Sequence, residues 1–297
     1  MDTFSYHGND GCALHAATLG TGPALILLHD GGPDHHSLVP LARRLAESYT
    51  VVLPDVRGYG RSVCTDPARH TWAQYADDVT ALLGHLGLGT AALGGTGLGG
   101  TITLRTAAKH PQHIRAAVVI DVDDIEDAVK EPETAMMENF AARVMQEGID
   151  AAWKAVLPDL APVIRNLVRD AMTRSDPASI AAACAIGRDR AFTSVADLAS
   201  IPVPTLVVPG SDEPEPAASA EEIARALPHG HLAKVSLSGE MRTADDLAQT
   251  MAPAMWAFLA SHHLTVQTCR RTVPRRTGAP VRTPVGTPAG TRVALVR

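Results

Sequence analysis

The chain has 297 residues, of which 45% are apolar and 20% charged, and its formal net charge is −6. This balance is typical of a globular protein that buries a full core, and it argues against a disordered or fibrous chain. No apolar run approaches the roughly 20 residues of a membrane helix, and residues 1–8 lack the pattern of a signal peptide, so we expect a cytoplasmic protein without a membrane partner.

Strands and helices alternate along the first 120 residues. A turn at 9–11 joins two predicted strands, and continuous apolar runs predict buried strands further along, because a strand covered on both faces is apolar throughout. These runs are 24–28, 51–54, 91–93 and 116–120, and the helices predicted between them are 37–48, 71–86 and 101–108. The alternation indicates an α/β fold with a mainly parallel sheet flanked by helices.

The strand pattern stops between residues 121 and 200. Short helices are predicted there at 134–146, 151–156, 161–172, 177–186 and 194–198, after which a strand, helix, strand and helix follow at 205–208, 217–227, 232–237 and 245–259. We therefore expect a core made of residues 1–121 and 201–261, with residues 122–200 inserted as a helical cap.

The last 36 residues differ in composition from the rest. Residues 262–297 contain seven arginines, no acidic residue and no aromatic residue. Because aromatic side chains for base stacking are missing, we interpret this segment as a disordered basic tail and expect no nucleic-acid partner. The four cysteines are scattered without metal-ligand spacing, so we expect no metal and no cofactor. The oligomeric state is left open.

Three glycine-containing motifs follow predicted strands. They are H-D-G-G-P at 29–33, D-V-R-G-Y-G-R-S at 55–62, and G-T-G-L-G at 95–99. In this order and at these spacings they resemble the α/β-hydrolase superfamily, whose third motif is the nucleophile elbow G-x-S-x-G. The resemblance covers roughly residues 20–260 and implies the α/β-hydrolase fold, with hydrolysis of small molecules as the expected activity.

Two positions of the implied catalytic triad carry unusual residues. The nucleophile position is occupied by Gly97; a register shifted by one would offer Thr96, but it would place bulky Leu98 where a small residue is needed. The family's histidine position carries Glu240. For the acid, the resemblance implies Glu213, with Asp212 as its neighbour.

The oxyanion hole depends on main-chain groups rather than on these side chains. By resemblance, it is formed by the N–H groups of Gly31 and Leu98. The pocket around it is expected to include His29, Asp30, Thr96 and His35. The space left by a serine side chain at Gly97 could hold a water molecule.

Two classes of function follow. The first is an enzyme acting on a small, largely apolar carbonyl-bearing metabolite, hydrolase-like but without a serine acyl-enzyme, in which Glu240 activates water. The alternatives are a non-catalytic relative that binds a small molecule, or a lyase or isomerase that uses the carboxylates. The acidic run at 121–127 is interpreted as a hinge into the cap, with a divalent metal site as its alternative.

Overall fold

The structure is a computed structural model that describes residues 1–122, 125, 130–210 and 216–262. Asp212, Glu213, most of the acidic run and the tail from residue 263 lie outside these residues. Among the described residues, one sheet runs in the order β1-β2-β4-β3-β5-β6-β7-β8. Its strands are β1 Asp2–His7, β2 Ala13–Leu19, β3 Ala24–Leu28, β4 Thr50–Pro54, β5 Ala91–Thr96, β6 Ile114–Ile120, β7 Thr205–Val208 and β8 Gly230–Leu232.

The sheet is mainly parallel, as predicted. Only the pairs β1–β2 and β2–β4 are antiparallel among the strand pairs described. The last strand differs from its prediction at 232–237: β8 ends at Leu232. The residues that follow are irregular, although the N–H groups of Ala233 and Leu237 still donate to the carbonyl oxygens of Val207 and Pro209.

Helices connect most of these strands. They are α1 Val39–Leu45, α2 Trp72–His85, α3 Leu98–Lys109, α4 Lys130–Glu147, α5 Ile149–Val156, α6 Pro162–Met172, α7 Pro177–Ala183, α8 Pro216–Ala226 and α9 Ala244–Ser261. A capping box begins α9: the Thr243 hydroxyl accepts the Asp246 N–H, and the Asp246 carboxylate accepts the Thr243 N–H. Such a cap satisfies N–H groups that have no partner within the helix.

The core has two layers, one on each face of the sheet. Neighbouring residues of β3 pack in different layers, because successive side chains of a strand point to opposite faces of the sheet. Ile26 packs in the layer that holds Leu82 of α2 and Ile102 of α3. Leu25 packs in the other layer, with residues of α1 and α9. Burial on both faces explains why β3 is a continuous apolar run.

Helices α4 to α7 lie between β6 and β7 in the chain, where the helical insertion was predicted. They approach the loop that follows β3: the position of a Cβ on Gly32 would be 2.9 Å from the Trp153 ring of α5. Side chains from these helices therefore face the carboxyl edge of the parallel strands. None of the helices described is long and apolar enough to cross a membrane.

Candidate functional site

A sharp turn joins β5 to α3 at the carboxyl edge of the sheet. β5 ends at Thr96, α3 begins at Leu98, and Gly97 between them has φ 49° and ψ −119°, a conformation that residues with a Cβ rarely adopt. A Cβ on Gly95 would lie 2.2 Å from the main chain of Gly99, and one on Gly99 would lie 2.3 Å from the Leu28 carbonyl oxygen. The glycine pair is thus required by the close approach of strand and helix, with Gly97 at the centre of the turn.

The carboxylate of Asp30 lies directly against this turn. Its Oδ1 accepts the N–H of Gly31 at 2.7 Å and the N–H of Leu98 at 3.0 Å. These are the two N–H groups expected to form the oxyanion hole, and they converge on one acceptor. Because this acceptor is a side chain of the protein itself, the oxyanion hole is occupied by the Asp30 carboxylate.

Gly97 and Asp30 are sterically dependent on each other. A Cβ on Gly97 would lie 1.9 Å from Asp30 Oδ1, well inside any possible contact. The space left by the missing side chain at Gly97 is therefore filled by a carboxylate, which corrects the expectation of a water molecule there. Only glycine at this position leaves room for the Asp30 side chain in its present place.

A second carboxylate, that of Asp121, borders the same space. Asp121 immediately follows β6 and has φ 56°, the one positive φ among the described residues other than glycine. Its Oδ1 lies against Gly210, where a Cβ would be 1.6 Å away. Together with Asp30 and Gly97, Asp121 lines a small space of about 10 Å³. Strain of this kind is often concentrated at functional sites. The sequence placed Asp121 in an acidic run but did not single it out.

His29 holds the loop that carries Asp30. It is fully buried; its Nε2 accepts the Val56 N–H at 2.9 Å, so its Nδ1 carries the proton and donates to the Asp30 carbonyl oxygen at 2.7 Å. Burial lowers the pKa of His29, which keeps the ring neutral. His29 thus fixes the main chain of the Asp30 loop and is not placed to take part in proton transfer.

A measurable pH dependence follows from His29. Because its folded pKa lies below the unfolded value of about 6.5, the unfolded chain binds more protons below that pH, and stability must fall as the pH falls. His70, whose pKa burial also lowers, acts in the same direction. We expect the free energy of unfolding to fall between pH 7 and pH 5, by up to about 1.4 kcal/mol per pH unit for each histidine. The urea midpoint should fall with it. In His29→Gln this slope should be smaller, whereas in the exposed control His229→Gln it should be unchanged.

Neighbouring charges brace the same loop. Asp34 accepts Arg174 Nε at 2.6 Å, which ties the loop to the end of α6. His35 is buried and its Nδ1 lies 2.7 Å from Asp55 Oδ1. Burial alone would raise the pKa of Asp55, but the His35 hydrogen bond and charge outweigh it and lower the pKa to about 2. His35 was expected to line the pocket; in the structure its ring is hydrogen-bonded to Asp55 instead.

Asp34, His35 and His36 bring three potential metal-ligand atoms within 4.8 Å of one another. Asp34 is already bound by Arg174, and His35 by Asp55. A cation would have to displace the Arg174 guanidinium, so the donor set is that of a structural ion-pair network and does not fit a metal centre.

Glu240 lies away from these groups. It is exposed in a turn after β8, its N–H donates to Ser238 Oγ, and it does not line the space beside Gly97. The neighbouring Arg242 guanidinium donates to the Gly239 carbonyl oxygen. The structure therefore gives no support to Glu240 as the base that activates water.

A large cavity opens above the turn, between the carboxyl edge of the sheet and α4 to α7. Its volume is about 950 Å³, a size typical of sites for small organic ligands. Its walls are mostly apolar and include the aromatic rings of Tyr59, Trp72, Phe140 and Trp153. Asp30, Gly31 and Leu98 form part of its floor. The elbow and the cavity are therefore one continuous site.

Comparison with known proteins identifies the family. The family model for the alpha/beta hydrolase fold matches residues 23–163. A fluoroacetate dehalogenase from Burkholderia sp is 36% identical over 107 residues, so the match covers 35% of this chain and only 35% of that relative.

Solved structures are similar over most of the chain. An esterase from Thermogutta terrifontis, solved with malate bound, is 23% identical with a TM-score of 0.74 and covers 89% of this chain and 100% of its own. The bottromycin epimerase BotH, in complex with bottromycin A2, is 23% identical with a TM-score of 0.68 and covers 87% and 100%. On the strength of the sheet order, the glycine turn and these matches, the chain has the α/β-hydrolase fold, and residues 23–163 match the family model of that fold.

Proposed function

We propose that this protein binds a small, largely apolar molecule in the cavity between the sheet and α4 to α7, and that it does not form an acyl-enzyme. One observation carries the proposal: the Asp30 carboxylate accepts both N–H groups that would otherwise stabilise an oxyanion. In this proposal α4 to α7 serve as the cap over the ligand.

Acyl transfer is disfavoured in two ways at this site. A negatively charged intermediate would have to form where a carboxylate already lies, so the electrostatic contribution of the hole is cancelled rather than merely weakened. Gly97 offers no nucleophile, and the loss of nucleophile or base costs about 10⁶ in turnover in a serine protease. Curated relatives of this chain include hydrolases, but each of these matches covers well under half of the relative.

A second candidate is proton transfer without a covalent intermediate, as in a lyase or isomerase. Asp121 favours it, because its carboxylate lies on the cavity wall beside the elbow, at a main-chain φ of 56° that few residues other than glycine adopt. The similarity to the bottromycin epimerase, at 23% identity, is one of fold alone.

Binding can be tested with a neutral, environment-sensitive dye such as Nile red. We expect saturable binding, and we expect Ser219→Trp, which adds a ring to the cavity wall on α8, to weaken it by at least about tenfold through overpacking. Glu221→Trp on the exposed face of the same helix is the matched control and should bind like the wild type.

Activity is tested on the same preparations with a panel of esters and lactones and with a serine-reactive phosphonate. Neither turnover nor labelling is expected. Turnover of an ester that Asp30→Asn and Asp121→Asn leave unchanged would contradict the proposal, because it would require a different catalytic centre.

A further inference from the structure

The second glycine-containing motif, residues 55–62, forms a tight turn that carries Tyr59 to the cavity. The Tyr59 N–H donates to the Val56 carbonyl oxygen at 2.9 Å, and the Tyr59 carbonyl oxygen accepts the Ser62 N–H at 2.9 Å. The Gly58 N–H closes the turn by donating to the Ser62 carbonyl oxygen at 2.8 Å. The main chain on either side of Tyr59 is therefore held by the protein itself before any ligand binds.

The Tyr59 ring lies beside the elbow. It packs edge to face against the buried ring of His29, with ring centroids 5.6 Å apart. Its Oη lies 3.6 Å from the position that a Cβ on Gly31 would take, and Gly31 and Tyr59 both line the cavity. The hydroxyl is thus next to the floor residue whose N–H is occupied by the Asp30 carboxylate.

The hydroxyl of Tyr59 is open to the cavity. Its oxygen has no hydrogen-bond partner among the described residues. Three buried side-chain atoms of the described residues lack a partner, and all of them are nitrogens, in Trp72, Arg105 and Arg165. The unpartnered oxygen of Tyr59 is therefore not buried. Because Tyr59 is partly exposed and lines the cavity, a ligand there can reach this hydroxyl.

The hydroxyl is suited to donate a hydrogen bond. Burial of the ring raises the pKa of Tyr59, and the nearby Cys184 and Asp30 act in the same direction. The phenol therefore keeps its proton at neutral pH and at moderately alkaline pH. A ligand that displaced water from this point without supplying an acceptor would leave the O–H unpaired, which is costly.

The walls around the hydroxyl are apolar. Trp153 lies over the same loop, since a Cβ on Gly32 would be 2.9 Å from its ring. Phe140 packs edge to face against Trp153 with ring centroids 4.7 Å apart, and both rings line the cavity. Apolar walls do not replace the hydration of an ionised group, and one neutral hydroxyl does not compensate a full charge. The ligand group that meets Tyr59 should therefore be a neutral acceptor.

We infer that Tyr59 is the hydrogen-bond donor that orients the ligand, and that the ligand is a neutral carbonyl compound, such as a ketone, ester or amide, on an apolar body. The carbonyl oxygen accepts the Tyr59 O–H. The inference rests on the proposed binding function and adds a binding residue and a chemical class. In it, a side-chain hydroxyl binds the ligand oxygen in place of the two main-chain N–H groups that Asp30 occupies.

The test uses three probes of nearly the same shape: 2-acetylnaphthalene, 2-isopropenylnaphthalene and 2-naphthoate. The first carries a carbonyl oxygen, the second a methylene group in its place, and the third an ionised carboxylate. Their dissociation constants for the full chain are measured by equilibrium dialysis at neutral pH. We expect the ketone to bind and the carboxylate to bind most weakly of the three.

Tyr59→Phe assigns the effect, because it removes only the hydroxyl. It should lower the affinity for the ketone by about tenfold and leave that for the alkene within about twofold. Tyr49→Phe is the matched control. Tyr49 directly precedes β4 and is not among the described residues that line the cavity, so its substitution should change neither affinity.

A second measurement needs no variant. The infrared carbonyl stretch of 2-acetylnaphthalene bound to the wild-type chain should lie at lower frequency than in an alkane solvent, because a hydrogen bond weakens the C=O bond. A frequency equal to that in the alkane would overturn the inference even if Tyr59→Phe does not fold.

The outcomes separate the two proposals. An unchanged ketone affinity in Tyr59→Phe, or an equal loss for ketone and alkene, would overturn the Tyr59 inference while leaving the binding function intact. Tightest binding of the carboxylate, or binding of Nile red without binding of the ketone, would do the same. No binding of any probe, together with no binding of Nile red, would overturn both.

Discussion

Gly97→Ala is expected to lower the free energy of unfolding by about 3–5 kcal/mol, a large loss for the addition of one methyl group. Two costs combine in this value. The main chain at φ 49° is strained for any residue with a Cβ, and the new Cβ would lie 1.9 Å from Asp30 Oδ1. In an Asp30→Ala background only the strain remains, and the same substitution should cost about 1–3 kcal/mol.

The measurement is a double-mutant cycle by urea unfolding at neutral pH. Gly87→Ala is the matched control, because Gly87 has φ 66° but no atom within 4 Å of its would-be Cβ. It should cost about 1–2 kcal/mol in both backgrounds, from strain alone. A coupling between Gly97 and Asp30 below about 0.5 kcal/mol would mean that the carboxylate is not held against the turn.

The fold could be predicted from the sequence because its determinants are local. The continuous apolar run of β3 requires a strand buried on both faces, and Gly95 and Gly99 are needed wherever a strand and helix meet this closely. Each of these features is contained within a few residues. Their order along the chain was sufficient to identify the superfamily.

The contents of the oxyanion hole could not be predicted in the same way. Asp30 and Leu98 are 68 residues apart, and their hydrogen bond depends on how the loop after β3 lies over the start of α3. The sequence did contain a signal: an aspartate beside the hole and a glycine at the nucleophile position occur together, and each is explained by the other. Considered separately, they were interpreted as an altered pocket residue and a missing side chain.

Glu240 shows a second limit of prediction from the sequence. Its assignment was counted from a last strand expected at 232–237, whereas β8 is Gly230–Leu232. The segment after β8 is irregular and partly exposed, so a count of residues does not fix which of them faces the site. Positions defined by a loop of variable path are less predictable than positions defined by a turn with fixed geometry.

Asp30→Ala is expected to create an anion-binding site at the elbow. Removal of the carboxylate exposes the N–H groups of Gly31 and Leu98 together with the positive end of the α3 dipole, which form an anion-binding arrangement. Each hydrogen bond to a charged acceptor contributes about 1.5–3 kcal/mol, so the affinity for the anionic probe phenoxybutanoate should rise by about 100-fold. The affinity for the cationic probe phenoxypropylamine should fall.

Glu47→Ala is the control for net charge, and it should leave the affinities for phenoxybutanoate and phenoxypropylamine unchanged. If Asp30→Ala does not bind phenoxybutanoate more tightly than the wild type does, the carboxylate acts as a structural brace of the cavity and not as the occupant of an anion site. Ester hydrolysis should stay absent in Asp30→Ala even where the carboxylate probe binds tightly, because an open hole does not replace the nucleophile missing at Gly97. Tight binding of an anion without turnover would separate the two consequences of the Asp30–Gly97 pair: the carboxylate determines which charge the pocket accepts, and the glycine determines that no acyl-enzyme forms.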